Sequence, residues 1–136
     1  MNASRHRLTP MICALCLCLS CIPILSASAS AEELAPGYDA CMDKASATTE
    51  MMECLSKAYQ HWDAKLNANY KKRMKQCESK EEKDRLLKAQ RAWLKYKQDM
   101  QEYILNSDNG TMSRMDSLSF AVDATKMQAK LLESGE

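Results

Sequence analysis

Residues 48–82, TTEMMECLSKAYQHWDAKLNANYKKRMKQCESKEE, decide the fold, because they contain one long amphipathic helix and the start of another. Thr48 is the predicted N-cap of the first helix. The negative charge of Glu50 in the first turn is stabilised by the helix dipole. We expect this helix to end between Gln76 and Glu78. Its apolar side chains recur at steps of three and four residues, which is the spacing of one helix face. They are Met51, Leu55, Ala58, Trp62, Leu66, Tyr70 and Met74.

A second helix is predicted after Ser79, because Ser79 and Glu82 have the spacing of a capping box. Its apolar face runs from Leu86 through Trp93 to Ile104 with the periodicity of an amphipathic helix.

Residues 106–110, Asn-Ser-Asp-Asn-Gly, end that pattern with side chains that favour turns. A third helix is expected from about Ser113 to Leu132. Short connections make successive helices antiparallel neighbours. The predicted fold class is therefore all-α, a small up-and-down helical bundle dominated by a long antiparallel helix hairpin.

The composition of the chain agrees with a single helical domain. It has 136 residues with only 3 Gly and 3 Pro, which is too little turn chemistry for a protein of many strands. Its 19 basic and 18 acidic side chains nearly cancel, which argues against a nucleic-acid partner.

The first 31 residues have the parts of a secretory signal peptide. Arg5 and Arg7 precede an apolar stretch at 11–25, and small residues with Ala-x-Ala triplets follow it. The stretch is too short for a membrane span, and we expect it to be removed with the signal peptide. We therefore expect no transmembrane segment in the mature chain. The predicted organisation is a signal peptide at 1–31, an extended leader at 32–37, a helical domain at 38–132 and a tail at 133–136, in a protein located in the periplasm or secreted.

Four cysteines lie inside that apolar stretch. Cys13, Cys16, Cys18 and Cys21 form two C-x-x-C pairs, which elsewhere would indicate zinc. We expect them to leave with the signal peptide. The alternative is a lipoprotein anchored through Cys21, although Cys18 stands where the usual lipobox has leucine.

The cysteines that remain are Cys41, Cys54 and Cys77. A Cys41–Cys54 disulfide would fasten the segment before the long helix to its second turn. The alternative, two buried thiols, is disfavoured after export. Cys77 is left open: it is free, pairs between chains, or competes for one of the other two.

Residues 32–136 show no constellation typical of an enzyme. One histidine, His61, remains, and there is no C-x-x-C and no glycine-rich phosphate loop. We therefore predict a non-enzymatic protein without a metal or other cofactor.

Polar side chains form a stripe on each of the two long helices. Asp63, Asn67 and Tyr70 share one face of the first helix, and Gln90, Trp93 and Lys97 share one face of the second. In an antiparallel hairpin these stripes can meet, so that Asn67 pairs with Gln90 and Asp63 with Lys97. A structural lock on helix register is favoured over direct ligand contact.

Two motifs occur together with these cysteines: Asp63-x-x-Leu66-Asn67-x-x-Tyr70 and Ala89-Gln90-x-x-Trp93. In this combination the sequence resembles the LprI-like lysozyme inhibitor family over residues 38–132. The resemblance implies a helical, disulfide-containing envelope protein, some relatives of which inhibit lysozyme. It supplies no catalytic residues.

The chain departs from the family pattern at several positions. Lys97-Gln98 stands where the family has Arg-Asp, and two later cysteines are absent near Gln101 and Phe120. Their joint loss is expected if they pair with each other, which by implication leaves Cys41 with Cys54.

The leading functional hypothesis is an exported protein that blocks the cleft of c-type lysozyme with a protruding loop. The candidate contact residues are Asp108, Asn109, Gly110 and Thr111. The alternative is an envelope accessory or protein-interaction module that does not inhibit lysozyme. One objection is electrostatic: residues 32–136 carry 17 basic and 18 acidic side chains, which offers little long-range attraction to a strongly basic lysozyme.

Overall fold

A computed structural model describes residues 32–107 and 110–134. Within these ranges the chain forms four helices, α1 (Tyr38–Met42), α2 (Thr48–Gln76), α3 (Lys80–Leu105) and α4 (Thr111–Ser134), and no strand. The all-α bundle predicted from the sequence is confirmed. The predicted signal peptide, Cys21, Asp108 and Asn109 lie outside the described residues.

The start of α2 differs by one residue from the prediction. Thr48 is the first helical residue, and the N-cap is Ala47 in extended conformation. The Glu50 carboxylate accepts hydrogen bonds from the Ser46 and Ala47 amides at 2.7 and 3.2 Å, and from the Ser46 hydroxyl at 3.1 Å. The predicted Thr48 cap is therefore wrong, because Thr48 already belongs to the first helical turn and the Glu50 carboxylate serves the amides of the two residues before the helix.

The start of α3 follows the predicted capping box with a shift in one bond. The Glu82 amide donates to Ser79 Oγ at 3.1 Å, as expected of an N-cap serine. The Glu82 carboxylate reaches back one residue further than in a standard capping box and accepts from the Glu78 amide at 2.9 Å.

Helix α4 holds the bundle together. It runs parallel to α2 and antiparallel to α3, and it packs against both. Its Ala121, Val122, Thr125 and Ala129 are among the most buried residues of the core. Small side chains on α4 allow close approach, whereas larger side chains separate α2 from α3. The two helices of the predicted hairpin therefore meet mainly through α4 and through a few long side chains.

Residues 32–37, here called the N-terminal strap, pack against α2 and α4. Ala35 is only 3 % exposed, and the Trp62 indole donates to the Leu34 carbonyl at 2.7 Å. Lys126 donates to the Glu33 carbonyl at 3.0 Å. The predicted extended leader is thus a packed part of the domain, because it contributes a core side chain and satisfies the indole.

None of the four helices described here combines the length and the apolar character that crossing a membrane requires.

Candidate functional site

A disulfide joins α1 to the second turn of α2. Cys41 and Cys54 are bonded with their Cα atoms 5.8 Å apart, closing a loop of 13 positions. Cys77 is free in the structure, and its thiol donates to the Arg73 carbonyl at 3.3 Å. In the chain-entropy model a loop of this length stabilises the fold by about 3 kcal/mol.

The polar stripes of α2 and α3 do not pair with each other as predicted. Asn67 donates to Asp63 on its own helix at 3.0 Å, and Asn67 is exposed. Gln90 is buried and accepts a hydrogen bond from Gln128 of α4 at 3.1 Å. The predicted Asn67–Gln90 pair is therefore wrong, because α4 supplies the partner of Gln90.

Lys97 also has a different partner from the predicted Asp63. Its ammonium donates to the Tyr59 hydroxyl at 2.9 Å and lies 5.0 Å from the ring centroids of Tyr59 and Trp93. Lys97 is 7 % exposed. Trp93 and Tyr70 are half-buried against the core. Tyr70, Gln90, Trp93 and Lys97 thus contribute to packing between helices, whereas Asp63 and Asn67 pair on the surface of α2. The prediction missed Tyr59 because its side chain carries no charge to pair with Lys97.

The connection between α3 and α4 is held by its own side chains on both sides. Asn106 Nδ2 donates to the Glu102 carbonyl at 2.9 Å, and the Ser107 hydroxyl donates to the Ile104 carbonyl at 2.7 Å. On the other side, the Ser113 hydroxyl donates to the Gly110 carbonyl at 2.7 Å. Gly110 has φ +59°, a left-handed conformation that glycine adopts without strain. The described flanks of the candidate loop are therefore fixed.

Large apolar side chains are exposed beside this connection. They are Tyr103, Leu105 and Met112. Among the candidate loop residues, Gly110 and Thr111 are exposed, and Thr111 is the first residue of α4.

Charge is segregated between the two ends of the bundle. The end formed by residues 38–54, 98–107 and 110–117, here called the acidic end, carries seven carboxylates and two basic side chains. The end formed by residues 71–91 and 126–134, here called the basic end, carries eleven basic and five acidic side chains. The sequence reasoning missed this because net charge hides it, although the helix topology was enough to reveal it.

A second surface feature is an apolar groove between α3 and α4, with a volume of about 730 Å³. Trp93 and Tyr96 line it from α3, and Phe120, Met127 and Leu131 line it from α4. The rings of Tyr96 and Phe120 meet edge to face with centroids 6.1 Å apart. The groove is distinct from the exposed apolar residues at the acidic end.

The described residues include no group of three or more His, Cys, Asp or Glu side chains placed to hold a metal ion.

The fold and these surfaces define a small helical protein with a Cys41–Cys54 disulfide and an acidic end built from parts of all four helices. The family model described as lysozyme inhibitor LprI matches residues 41–132. The chain belongs to the LprI lysozyme inhibitor family. No curated protein and no solved structure matches the chain.

Proposed function

We propose that the chain is an exported protein inhibitor of c-type lysozyme that acts through its acidic end and has no catalytic activity of its own. Membership of the LprI family supports an inhibitory protein–protein contact. The Cys41–Cys54 disulfide supports an oxidising compartment, and residues 1–31 have the pattern of a signal peptide.

The charge segregation is the observation that carries this proposal. A lysozyme of this type is strongly basic, and the near-zero net charge of the chain offers little attraction at long range. At the surface, however, charges separated by more than about 8 Å are largely screened at physiological ionic strength. Asp99 is paired with Lys95 at 2.8 Å, so a basic partner near the acidic end experiences six carboxylates without an ion pair among the described residues, and two cations, rather than the balance of the whole chain.

The same end has the apolar contacts that a stable interface needs. Tyr103 and Met112 project beside the 106–111 connection, and both are more than half exposed. Aromatic and methionine side chains are enriched in interfaces, while charges at the rim guide association. Because the flanks of the loop are already fixed by hydrogen bonds, binding would order few additional residues.

The test is a titration of purified protein against c-type lysozyme with a cell-wall substrate. Glu102 and Asp116 are exposed and form no ion pair within the described ranges. We expect the Glu102→Lys/Asp116→Lys variant to raise the inhibition constant by about tenfold or more, because it places cations opposite a basic partner.

The matched control is Glu81→Lys/Glu133→Lys at the basic end, which changes the net charge by the same amount. We expect it to keep the inhibition constant within about twofold. Equal losses in both variants would reject the acidic end as the contact surface. Full lysozyme turnover at a large molar excess of the unsubstituted protein would reject inhibition itself and favour an accessory role.

A further inference from the structure

The apolar groove between α3 and α4 brings several exposed large side chains together at one place on the surface. Tyr96 is 54 % exposed, Met127 is 72 % exposed and Leu131 is 64 % exposed. They line one groove together with Trp93 and Phe120. Contiguous apolar patches of this kind on soluble proteins usually mark an interaction surface.

We propose that a second copy of this chain occupies the groove, in a two-fold symmetric dimer in which α3 packs antiparallel to α3 and α4 antiparallel to α4. The two-fold axis would pass level with Ala92 and Met127. In such a pairing the same patch is used on both copies, so the surface must be complementary to itself.

The face of α3 beside the groove has this self-complementarity. Arg85, Ala89, Ala92, Tyr96 and Asp99 follow one another at steps of four and three residues, which places them on one helix face. When two such faces meet antiparallel about Ala92, Arg85 lies opposite Asp99 of the second copy. Ala89 then lies opposite Tyr96 of the second copy, so that a small side chain receives a large one.

The alignment of α3 with α4 allows a single two-fold axis to relate both helices to those of the second copy. Gln128 bonds Gln90 at 3.1 Å, and the Ser117 hydroxyl bonds the Gln101 carbonyl at 3.2 Å. These two bonds set Ala92 beside the turn of α4 that contains Met127. Met127 is therefore available to pack against Met127 of the second copy at the same level.

The size of the patch indicates what else must contribute. A stable interface removes about 800 Å² from each partner. Three half-exposed apolar side chains supply roughly half of that area. The charged flanks must therefore take part: Arg85 of each copy is placed near Asp99 of the other, which already pairs with Lys95 on its own helix at 2.8 Å. This makes the dimer sensitive to salt.

The experiment measures the dimer dissociation constant by analytical ultracentrifugation. The full chain is expressed, and the protein is purified after any processing by the expression host. We expect Arg85→Asp to raise the constant by about tenfold or more, because each dimer then contains two carboxylate pairs. The double variant Arg85→Asp/Asp99→Arg restores opposite charges and should return the constant to within about threefold of the original. This rescue is what direct contact between Arg85 of one copy and Asp99 of the other predicts.

Arg91→Asp is the matched control, since Arg91 is exposed on α3 but about 140° around the helix from Tyr96. It should leave the dissociation constant unchanged, and circular dichroism should show all variants equally helical. A protein that stays monomeric at about 100 μM would overturn the proposal. So would a double variant that remains as weak as the single one. Asp99 belongs to the acidic end, so lysozyme inhibition is compared only with Arg85→Asp, which leaves the acidic end unchanged.

Discussion

Lys97 is a buried cation whose neighbours are aromatic rather than acidic. Its ammonium lies between the rings of Tyr59 and Trp93 and donates to the Tyr59 hydroxyl at 2.9 Å. A cation over an aromatic face is stabilised by the ring quadrupole by about 0.5 to 2 kcal/mol. Burial of the charge opposes this gain, while the aliphatic stem fills space between α2 and α3.

We expect the stem of Lys97 to matter more for stability than its charge. Lys97→Ala should lower the free energy of unfolding by about 2 to 3 kcal/mol, because it leaves a cavity between α2 and α3. Lys97→Met keeps the length of the stem and should cost about 1 kcal/mol or less. Urea denaturation of the two variants measures both values. If Lys97→Met is as destabilising as Lys97→Ala, the charge and its aromatic contacts dominate instead.

The partner of Lys97 illustrates what the sequence could not supply at this scale. The placement of Gln90, Trp93 and Lys97 on one stripe follows from helical spacing alone. The pairing with Asp63 assumed that opposite charges on facing helices meet, but α2 and α3 approach each other less closely than either approaches α4. Asp63 instead bonds Asn67, its neighbour one turn along the same helix. Which groups meet across a bundle depends on interhelical distance, and side-chain pattern does not encode that directly.

At the scale of elements, the long helices could be predicted from the sequence, whereas the short helix α1 could not. Apolar periodicity and the Ser79 cap located α2 and α3 to within about two residues. Helix α1 has five residues, no buried side chain and no side-chain cap, so it leaves no periodic pattern. The strap was predicted as an extended leader, with Pro36-Gly37 marking the boundary before the domain. Its packing depends on Trp62 and Lys126, which are distant from it in sequence.

Helix α2 should lose stability in acid through the capping carboxylate at its start. Hydrogen bonds from the Ser46 amide, the Ser46 hydroxyl and the Ala47 amide hold the pKa of Glu50 below its usual 4.5. Because the folded pKa is the lower one, this contribution is present above about pH 4.5 and is lost as pH falls through the folded value. Glu50→Gln should therefore be less stable than the unsubstituted protein at pH 7, and the two should converge as pH falls below the folded pKa of Glu50.

The measurement is the free energy of unfolding by urea at several pH values between 7 and 3. Glu53→Gln is the control, because Glu53 is exposed on the same helix and its carboxylate has no hydrogen-bond donor among the described residues. Its profile should run parallel to that of the unsubstituted protein. A constant gap between the Glu50→Gln and unsubstituted profiles would show that the cap does not depend on ionisation of this carboxyl.

At the scale of the whole molecule, the arrangement of charge carries information that its sum conceals. The sequence contains every charge, and the up-and-down topology was predicted from it. Placing each helix half at one end of the bundle would have revealed the acidic and basic ends. The exposed groove could not have been found in this way, because apolar residues such as Met127 and Leu131 fit a helix core pattern equally well. Only the packing of α4 shows which of its apolar faces remains uncovered.

The two ends should act independently on charged surfaces at moderate ionic strength. Helix α2 alone has 29 residues and spans about 43 Å, whereas the screening length is about 30 Å at 10 mM salt and about 8 Å at 150 mM. We therefore expect the protein at pH 7 and 10 mM salt to bind both an anion exchanger and a cation exchanger, although its net charge is near zero. Both should release it by about 150 mM salt.

Glu102→Gln/Asp116→Asn should shorten retention on the anion exchanger alone, and Lys83→Gln/Lys88→Gln should shorten retention on the cation exchanger alone. A protein whose charges were evenly mixed would pass through both columns, and that outcome would remove the electrostatic basis for attraction of a basic partner to the acidic end.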